Sequence, residues 1–225
     1  MSALSQLEQS VTECRRCPRL VAWREEVARV KRASFADQEY WGRPVPAFGD
    51  PRARVIVLGL APAAHGGNRT GRIFTGDRSG DWLFAALWRA GFASQPVSVS
   101  RDDGLTLKDC WVTAAVRCAP PANRPSVDER DNCLPWLVDE LALMRRARVM
   151  VCLGGFAWDC ALRVCGPAPS PRPKFAHGAS VAVGDVTLLG CYHVSQQNTF
   201  TGRLTEPMLD QVFTRARELA AGCGK

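Results

Sequence analysis

No run of apolar residues in the sequence approaches the roughly 20 residues that a helix needs to cross a bilayer. The first ten residues also lack the basic start and the apolar block of a secretory signal. These absences argue against a membrane or secreted protein, and we expect a cytoplasmic one. Internal repeats and long low-complexity segments are absent too, so we expect the 225 residues to form one domain with an N-terminal extension of about residues 1–50.

The composition is that of an ordinary globular protein, with 46% hydrophobic and 23% charged residues. A formal net charge of +7 favours an anionic partner such as nucleic acid, although such an excess is also common in proteins that bind nothing acidic. The ten cysteines are the unusual feature. Because a disulfide framework is disfavoured without a secretory signal, metal or cluster ligation is the leading special use for some of them.

From residue 54 onward, predicted strands alternate with predicted helices. Apolar, β-branched runs predict strands at 54–59, 110–116, 148–153 and 186–192. Helical periodicity and capping residues predict helices at 3–12, 20–33, 79–91, 126–144, 156–165 and 206–221. The connections are long enough for crossovers, so we predict an α/β fold with three α/β/α layers around a central four-stranded parallel sheet. The polar loops after strands one, two and four would then share one cleft.

Two pairs of cysteines have a spacing that suits ligation. Cys14 and Cys17 form a Cys-x-x-Cys-Pro motif, which lets two thiolates reach one iron-sulfur cluster or one zinc ion. Cys118 follows a predicted strand, and Cys133 lies on the helix that leaves the same loop. Four thiolates would hold a [4Fe-4S] cluster or a structural zinc, and the spacing leaves both open. The other cysteines are expected to be ordinary side chains: Cys110, Cys152, Cys160, Cys165, Cys191 and Cys223.

The polar loops hold the residue types that hydrolysis of an N-glycosidic bond requires. That reaction needs hydrogen-bond donors for the departing base, an anion near the positive sugar, and an aromatic ring on which the base stacks. Asp77 is a carboxylate in these loops, and Phe74 is an aromatic residue three positions earlier. Asn123 offers an amide that can contact a base edge, and His193 is a donor just beyond the fourth strand.

Four sequence motifs in these loops resemble those of a known family. They are GLAPAAHGGNRTG at 59–71, FTGD at 74–77, RCAPPAN at 117–123 and YHVSQQNT at 192–199. Together they resemble the motifs of the uracil-DNA glycosylase superfamily, specifically its B-type (family 5) enzymes. The resemblance extends from residue 14 to about residue 205.

The resemblance implies a uracil-DNA glycosylase-like fold and a monofunctional DNA N-glycosylase of base excision repair. Such an enzyme flips uracil, and also hypoxanthine and other deaminated purines, out of DNA and hydrolyses the N-glycosidic bond to leave an abasic site. The expected partner is DNA that contains such bases, and the protein is expected to be a monomer. Cys14, Cys17, Cys118 and Cys133 fall where the family holds a [4Fe-4S] cluster, which favours iron-sulfur over zinc.

The resemblance also implies roles for individual residues. Phe74 matches the residue that stacks on the flipped base, and Asn123 matches the residue that contacts it. His193 matches the histidine that stabilises the departing base anion. Asp77 matches the carboxylate that positions water or balances the sugar charge. Asn198 lies in the same loop as His193, near the expected substrate.

Two positions of the first loop need separate treatment. Better-known members of the superfamily have an acidic or amide residue directly after the first strand, whereas this chain has Ala61. Because Ala61 can supply no proton chemistry, we expect stabilisation of developing charge to dominate, with Asp77 taking part. His65 is expected to contact a phosphate or to shape the glycine-rich turn.

Two alternatives to catalysis stay open at this stage. A catalytically weak iron-sulfur protein that binds damaged DNA is motivated by Ala61, and an electron-transfer protein would leave the polar loops without a role. His177, in a proline-rich region, is expected at the surface. Four arginines are expected either to grip the DNA backbone or to be solvated: Arg69, Arg72, Arg78 and Arg203.

Overall fold

The computed structural model describes residues 2–167 and 169–222, and Cys223 therefore lies outside the described residues. These residues form eight α-helices and six β-strands. The helices are α1 (Ala3–Thr12), α2 (Pro18–Val30), α3 (Gly67–Thr70), α4 (Arg78–Arg89), α5 (Val127–Leu143), α6 (Gly155–Val164), α7 (Gln196–Phe200) and α8 (Glu206–Gly222). The strands are β1 (Phe48–Gly49), β2 (Val55–Gly59), β3 (Cys110–Ala114), β4 (Val149–Leu153), β5 (Ser180–Val183) and β6 (Val186–Cys191).

A single sheet with the strand order β1-β3-β2-β4-β6-β5 forms the centre of the fold. Its inner strands β3, β2, β4 and β6 are parallel, and Val55 of β2 pairs with Cys110 on one side and with Val149 on the other. All residues of β2, β3 and β4 are buried, as expected for a parallel sheet that is covered on both faces. These four strands are the ones that the sequence predicts, so the central parallel sheet is confirmed.

One antiparallel strand extends the sheet at each edge, and the sequence analysis missed both. β1 has only two residues, which is too short to leave a periodic signal. β5 is mostly exposed or half-buried, and it joins β6 through Gly184 and Asp185, a two-residue hairpin signal that the sequence analysis overlooked. The sheet is therefore six strands wide, with the predicted four at its centre.

Helices cover both faces of the sheet, which confirms the three layers. On one face, α4 and α8 pack Leu83, Phe84 and Phe213 against strand residues such as Val57. On the other face, α5 and α6 pack against the alternate strand residues, with Trp158 at the centre. Near one end of the second layer, a smaller core contains the side chains Leu20, Val116, Cys118 and Cys133.

Side chains that cap free backbone N–H groups define the starts of two helices near the loops. The Ser126 hydroxyl accepts a hydrogen bond from the Glu129 N–H (3.2 Å), and the Glu129 carboxylate accepts one from the Ser126 N–H (2.7 Å). This is the predicted capping box of α5. Asp77 caps α4. The short helices α3 and α7 lie inside predicted polar loops and are too short to show periodicity.

Within the described part of the chain, no helix is both long enough and apolar enough to cross a membrane.

Candidate active site

The loops that follow β2, β3 and β6 meet in one open cleft at the carboxyl ends of the parallel strands, as predicted. The cleft has an empty volume of about 1630 Å³. Side chains from all three loops line it, among them His65 and Asp77 from the first loop, Asn123 from the second, and Gln196 and Gln197 from the third. The cleft is therefore large, several loops contribute to it, and its lining combines polar side chains with a larger apolar surface.

Asp77 is held at the start of α4 with one carboxylate oxygen engaged. Its Oδ1 accepts a hydrogen bond from the Gly80 N–H at 2.9 Å. Its Oδ2 lies against Gly66, where an added Cβ would be only 1.9 Å from that oxygen. Burial raises the pKa of Asp77, opposed by the N–H groups of Gly80 and Ser79. Asp77 is thus a half-buried carboxylate whose position depends on a glycine beside it.

Phe74 is a buried aromatic ring in a strained backbone position. Only 6% of the residue is exposed, and its φ of 52° lies in the left-handed region that non-glycine residues rarely adopt. Its ring packs on the end of β2, where a Cβ at Gly59 would lie 2.7 Å from Cζ. The centroid of the ring is 6.2 Å from that of His193, with the planes tilted by 39°. Phe74 and His193 thus form a ring pair, although neither lines the open cleft itself.

His193 is a neutral imidazole held just after β6. Burial lowers the pKa of His193 to about 4, so the ring carries one N–H donor and one acceptor nitrogen at neutral pH. The Asn198 amide donates a hydrogen bond to the His193 carbonyl at 2.8 Å. Asn198 therefore fixes the loop around His193 through its backbone.

The remaining predicted residues of the cleft differ in how firmly they are held. Asn123 is exposed at the end of a 3₁₀ turn (Pro121–Asn123), with a left-handed φ of 56°. His65 is half-buried, and its Nδ1 lies 3.0 Å from the Tyr40 hydroxyl. Burial lowers the pKa of His65, and the charges of Arg32 and Arg69 lower it further.

Ala61 lies apart from the cleft-lining residues that its own loop contributes. It packs against the small core that contains Cys118 and Cys133. The structure thus brings Asp77, Asn123 and His65 together in the cleft and sets Ala61 against the cysteines.

The four predicted ligand cysteines, Cys14, Cys17, Cys118 and Cys133, line one enclosed cavity with an empty volume of about 320 Å³. Three of the sulfur atoms receive hydrogen bonds. Arg24 Nη1 lies 2.9 Å from Cys118 Sγ, the Arg117 N–H lies 3.2 Å from Cys133 Sγ, and Asn132 Nδ2 lies 3.9 Å from Cys17 Sγ. Burial raises the pKa of Cys118 to about 11 and that of Cys133 to about 12. Among residues 2–167 and 169–222, no three His, Cys, Asp or Glu side chains are grouped to hold a single metal ion.

The sequence-based expectations for three other residues were wrong. Arg69 and Arg72 are buried and bonded internally: Arg69 donates to Gln38 and to the Gly76 carbonyl, and Arg72 pairs with Asp103 at 2.6 Å. They shape the loop and are not available to DNA. His177 is half-buried, and its ring stacks on the Tyr192 ring with the centroids 5.0 Å apart. Its Nδ1 accepts a hydrogen bond from the backbone N–H of Tyr192 at 3.1 Å, so it is not a free surface residue. Proline-rich composition gave no sign of that contact.

One surface feature of the third loop escaped the sequence analysis. Phe200, at the end of α7, is 69% exposed, and its ring lies 5.7 Å from the guanidinium of Arg78. Arg78 itself lines the cleft. Val194, which precedes α7, is fully buried. Phe200 lies only seven positions after His193, but the sequence did not show that this phenylalanine would be exposed while the nearby valine would be buried.

The sequence that forms this α/β/α fold and its three-loop cleft matches a known family over most of its length. Residues 46–217 match the Uracil DNA glycosylase superfamily. The chain belongs to that superfamily, which confirms both the predicted fold class and the predicted class of enzyme, a DNA glycosylase.

Within the superfamily, the similar proteins include several named Type-5 uracil-DNA glycosylase. The one from Mycobacterium bovis is 58% identical over 220 residues, which cover 97% of this chain and 82% of the relative. The one from Thermus thermophilus is 52% identical over 213 residues, covering 94% and 96%. The one from Pyrobaculum aerophilum is 48% identical over 213 residues, covering 95% and 91%. The type-5 resemblance that the motifs indicate is thereby confirmed.

Proposed function

We propose that this protein binds DNA that contains uracil and hydrolyses the N-glycosidic bond of a flipped uracil to leave an abasic site. The observation that carries the proposal is a half-buried carboxylate and an exposed amide in one cleft, with a neutral imidazole in the third loop that contributes to that cleft. These are Asp77, Asn123 and His193. Membership in the superfamily and the similarity to Type-5 uracil-DNA glycosylases support the substrate.

The pair of rings and the exposed amide bind the base in this mechanism. A flipped pyrimidine stacks on Phe74, and the exposed amide of Asn123 contacts the polar edge of the base. His193 donates a hydrogen bond to the base as negative charge develops on it. A neutral imidazole suits this role, because its N–H stabilises the base anion by a hydrogen bond and keeps its proton. Burial keeps His193 neutral at pH 7.

Asp77 acts on the sugar side of the bond. Its Oδ1 is used by the Gly80 N–H, so Oδ2 is the oxygen that faces the developing positive charge or the incoming water. Ala61 offers no group that could activate water. We therefore assign most of the rate to stabilisation of charge by Asp77 and His193.

The same arrangement supports activity on more than one deaminated base. Asn123 is exposed on a turn and is not clamped by neighbouring side chains, so the site does not enforce one pattern of donors and acceptors. We propose that hypoxanthine and other deaminated purines are also released. His65, hydrogen-bonded to Tyr40, contacts a DNA phosphate at the rim of the cleft.

Phe200 is placed to enter the base stack when the target base leaves it. It is a large apolar side chain exposed on the rim loop, and unstacking a base leaves an apolar gap that such a ring can fill. Arg78 beside it supplies positive charge for the backbone.

The four cysteines fit a [4Fe-4S] cluster. They surround one cavity instead of converging on a single ion, and three of the sulfurs receive N–H hydrogen bonds. Three buried donors in the wall of the cavity, Arg24 Nε, Arg117 Nε and Trp136 Nε1, have no partner within the described residues, and cluster sulfides are acceptors. Cys14 and Cys17 on one side and Cys118 and Cys133 on the other would hold such a cluster, which would tie the N-terminal segment to the loop after β3 and to α5 and make the chain one domain.

The test is release of base from defined DNA. Purified protein is incubated with duplexes that contain one uracil, hypoxanthine or xanthine, and abasic sites are then cleaved with alkali. Strand cleavage on the uracil duplex supports the proposal, and cleavage on the purine substrates supports the wider range. Tight binding to these duplexes with no cleavage of any of them would favour the alternative, an iron-sulfur protein that only binds damaged DNA.

A further inference from the structure

Arg24 is a buried cation without a buried counter-ion. The residue is 2% exposed on α2, and its guanidinium contacts the Cys118 sulfur at 2.9 Å and the Cys14 carbonyl at 3.2 Å. Within the described residues, one carboxylate oxygen lies within 4.0 Å, that of Glu25 at 3.9 Å. Glu25 is half exposed and is already paired with Arg15. The positive charge of Arg24 is therefore poorly balanced by the protein.

Such a charge is costly to bury. Removing a guanidinium from water without a close anion is strongly unfavourable, and proteins avoid it unless an anion is present. The guanidinium of Arg24 contacts two ligand residues of the thiol-lined cavity. A [4Fe-4S] cluster with four thiolate ligands carries net negative charge, and it would supply the missing anion.

The unpartnered donors indicate the same occupant. The Nε of Arg24 and the Nε1 of Trp136 are buried without a hydrogen-bond partner in the part of the chain that the structure describes. Both residues line the thiol-lined cavity. Arg16 is also on the cavity wall, but its guanidinium is exposed and stacks on Trp136 at 4.4 Å. Arg117 on the same wall is as buried as Arg24, but it pairs with the buried Glu140 carboxylate. Arg24 is thus the buried cation of the wall that has no buried counter-ion within the described residues.

We propose that Arg24 is the positioning residue of the cluster: its buried charge stabilises the anionic cluster, slows its loss and raises its reduction potential. The inference rests on the cofactor proposed above. Arg24 acts on the cluster through Cys118 and Cys14 and does not touch DNA. Hydrogen bonds and charge next to the ligands are the usual means by which a protein tunes such a cluster.

The test compares Arg24→Gln and Arg24→Lys with Arg29→Gln in the iron-loaded protein. Arg29 lies on the same helix but is exposed and paired with Glu26, so its loss changes the net charge equally. The readouts are the rate of iron loss to a chelator and the reduction potential of the cluster. For Arg24→Gln we expect roughly 10- to 100-fold faster iron loss than for Arg29→Gln, and a more negative potential. Arg24→Lys keeps the charge and should remain near the wild type in potential.

The outcomes separate this inference from the proposals on which it rests. If the wild type contains iron but Arg24→Gln equals Arg29→Gln in both readouts, the role of Arg24 is overturned and the cofactor proposal stands. Equal shifts in Arg24→Gln and Arg24→Lys also overturn it, because the charge would then not matter. If Arg24→Gln cannot be purified with iron, the potential of Arg24→Lys decides: a value far from the wild type contradicts the proposal. Absence of iron and sulfide from the wild type overturns both this inference and the cofactor.

Discussion

The cleft and the thiol-lined cavity lie close together in the chain, yet they differ in almost every physical respect. The cleft is open, about 1630 Å³ in empty volume, and lined by both polar and apolar groups from three loops. The cavity is enclosed, about 320 Å³, and bounded by apolar and cationic side chains. One loop serves both, because Cys118 and Asn123 are five positions apart. On the functions proposed above, the cavity with its cofactor bound would stabilise the fold, and the cleft would perform the chemistry.

Changing one of the proposed ligand cysteines should have the largest effect, because it should reduce both the iron content of the cavity and the activity of the cleft. We expect Cys118→Ser to lose most of the iron, a fall of more than roughly tenfold, because even changes around the ligands cost 10- to 100-fold in metal affinity. Unfolding should occur at lower denaturant, and uracil release should fall with it. Iron analysis and denaturant titration measure this, with Cys165→Ser as the control outside the cavity. Full iron content in Cys118→Ser would contradict the ligand assignment.

Changes in the cleft should reduce the rate and leave the iron in place. Asp77→Asn keeps a good helix cap, since asparagine caps as well as aspartate, but removes the charge. We expect it to slow uracil release by roughly 100- to 1000-fold, and His193→Ala to do the same. Single-turnover kinetics and the visible absorbance of the cluster measure the two properties separately. Wild-type rates in both variants would require a different site.

Phe200 should have a smaller effect that depends on the form of the DNA. For Phe200→Ala we expect roughly tenfold slower release from duplex DNA and little change on single strands, where no stack must be opened. Val127→Ala removes another exposed apolar side chain and serves as the matched control. A duplex rate that matches the control would show that Phe200 does not enter the stack.

The pH dependence should give the smallest effect. Burial lowers the pKa of His193 in the folded protein to about 4, below its value of about 6.5 in the unfolded chain. The unfolded chain therefore binds more protons between these values, and the free energy of unfolding falls as the pH drops through that window. We expect about 1 kcal/mol per pH unit in the difference between wild type and His193→Gln.

Denaturant titrations of both proteins between pH 4.5 and pH 7.5 measure that difference. The rate of uracil release should show no loss near pH 6.5, because His193 stays neutral there. A loss of wild-type activity centred near pH 6.5 would contradict this. If that loss disappeared in either His65→Gln or His177→Gln, each measured separately, it would be due to the histidine replaced in that variant.

Long buried strands and strongly capped helices could be predicted from the sequence, because their signals are local. β2 is rich in β-branched residues, and the capping box formed by Ser126 and Glu129 predicts the start of α5. The edge strand β5 was missed although its signal is local, because Gly184 and Asp185 between two valine-containing runs are typical of a β-hairpin. The prediction that Asp77, Asn123 and His193 belong to one site depended on two things together, the predicted parallel sheet and the family resemblance.

Features that arise from tertiary packing were beyond the sequence. The burial of Arg69 and Arg72 follows from acceptors such as the Gly76 carbonyl and Asp103, which the sequence does not reveal. In the sequence, Arg24 is one of several basic residues of the helix predicted at 20–33. Only the structure shows that its guanidinium faces the cysteines.

Three glycines lie against the residues to which we assign the chemistry. A methyl group at Gly66 would collide with the Asp77 carboxylate, one at Gly59 with the Phe74 ring, and one at Gly80 would come 1.9 Å from the Phe74 carbonyl oxygen. None of these glycines carries a functional group. A genetic selection for lost repair should nevertheless recover Gly→Ala alleles at these positions, because the shape of the active site is encoded partly by where side chains are missing.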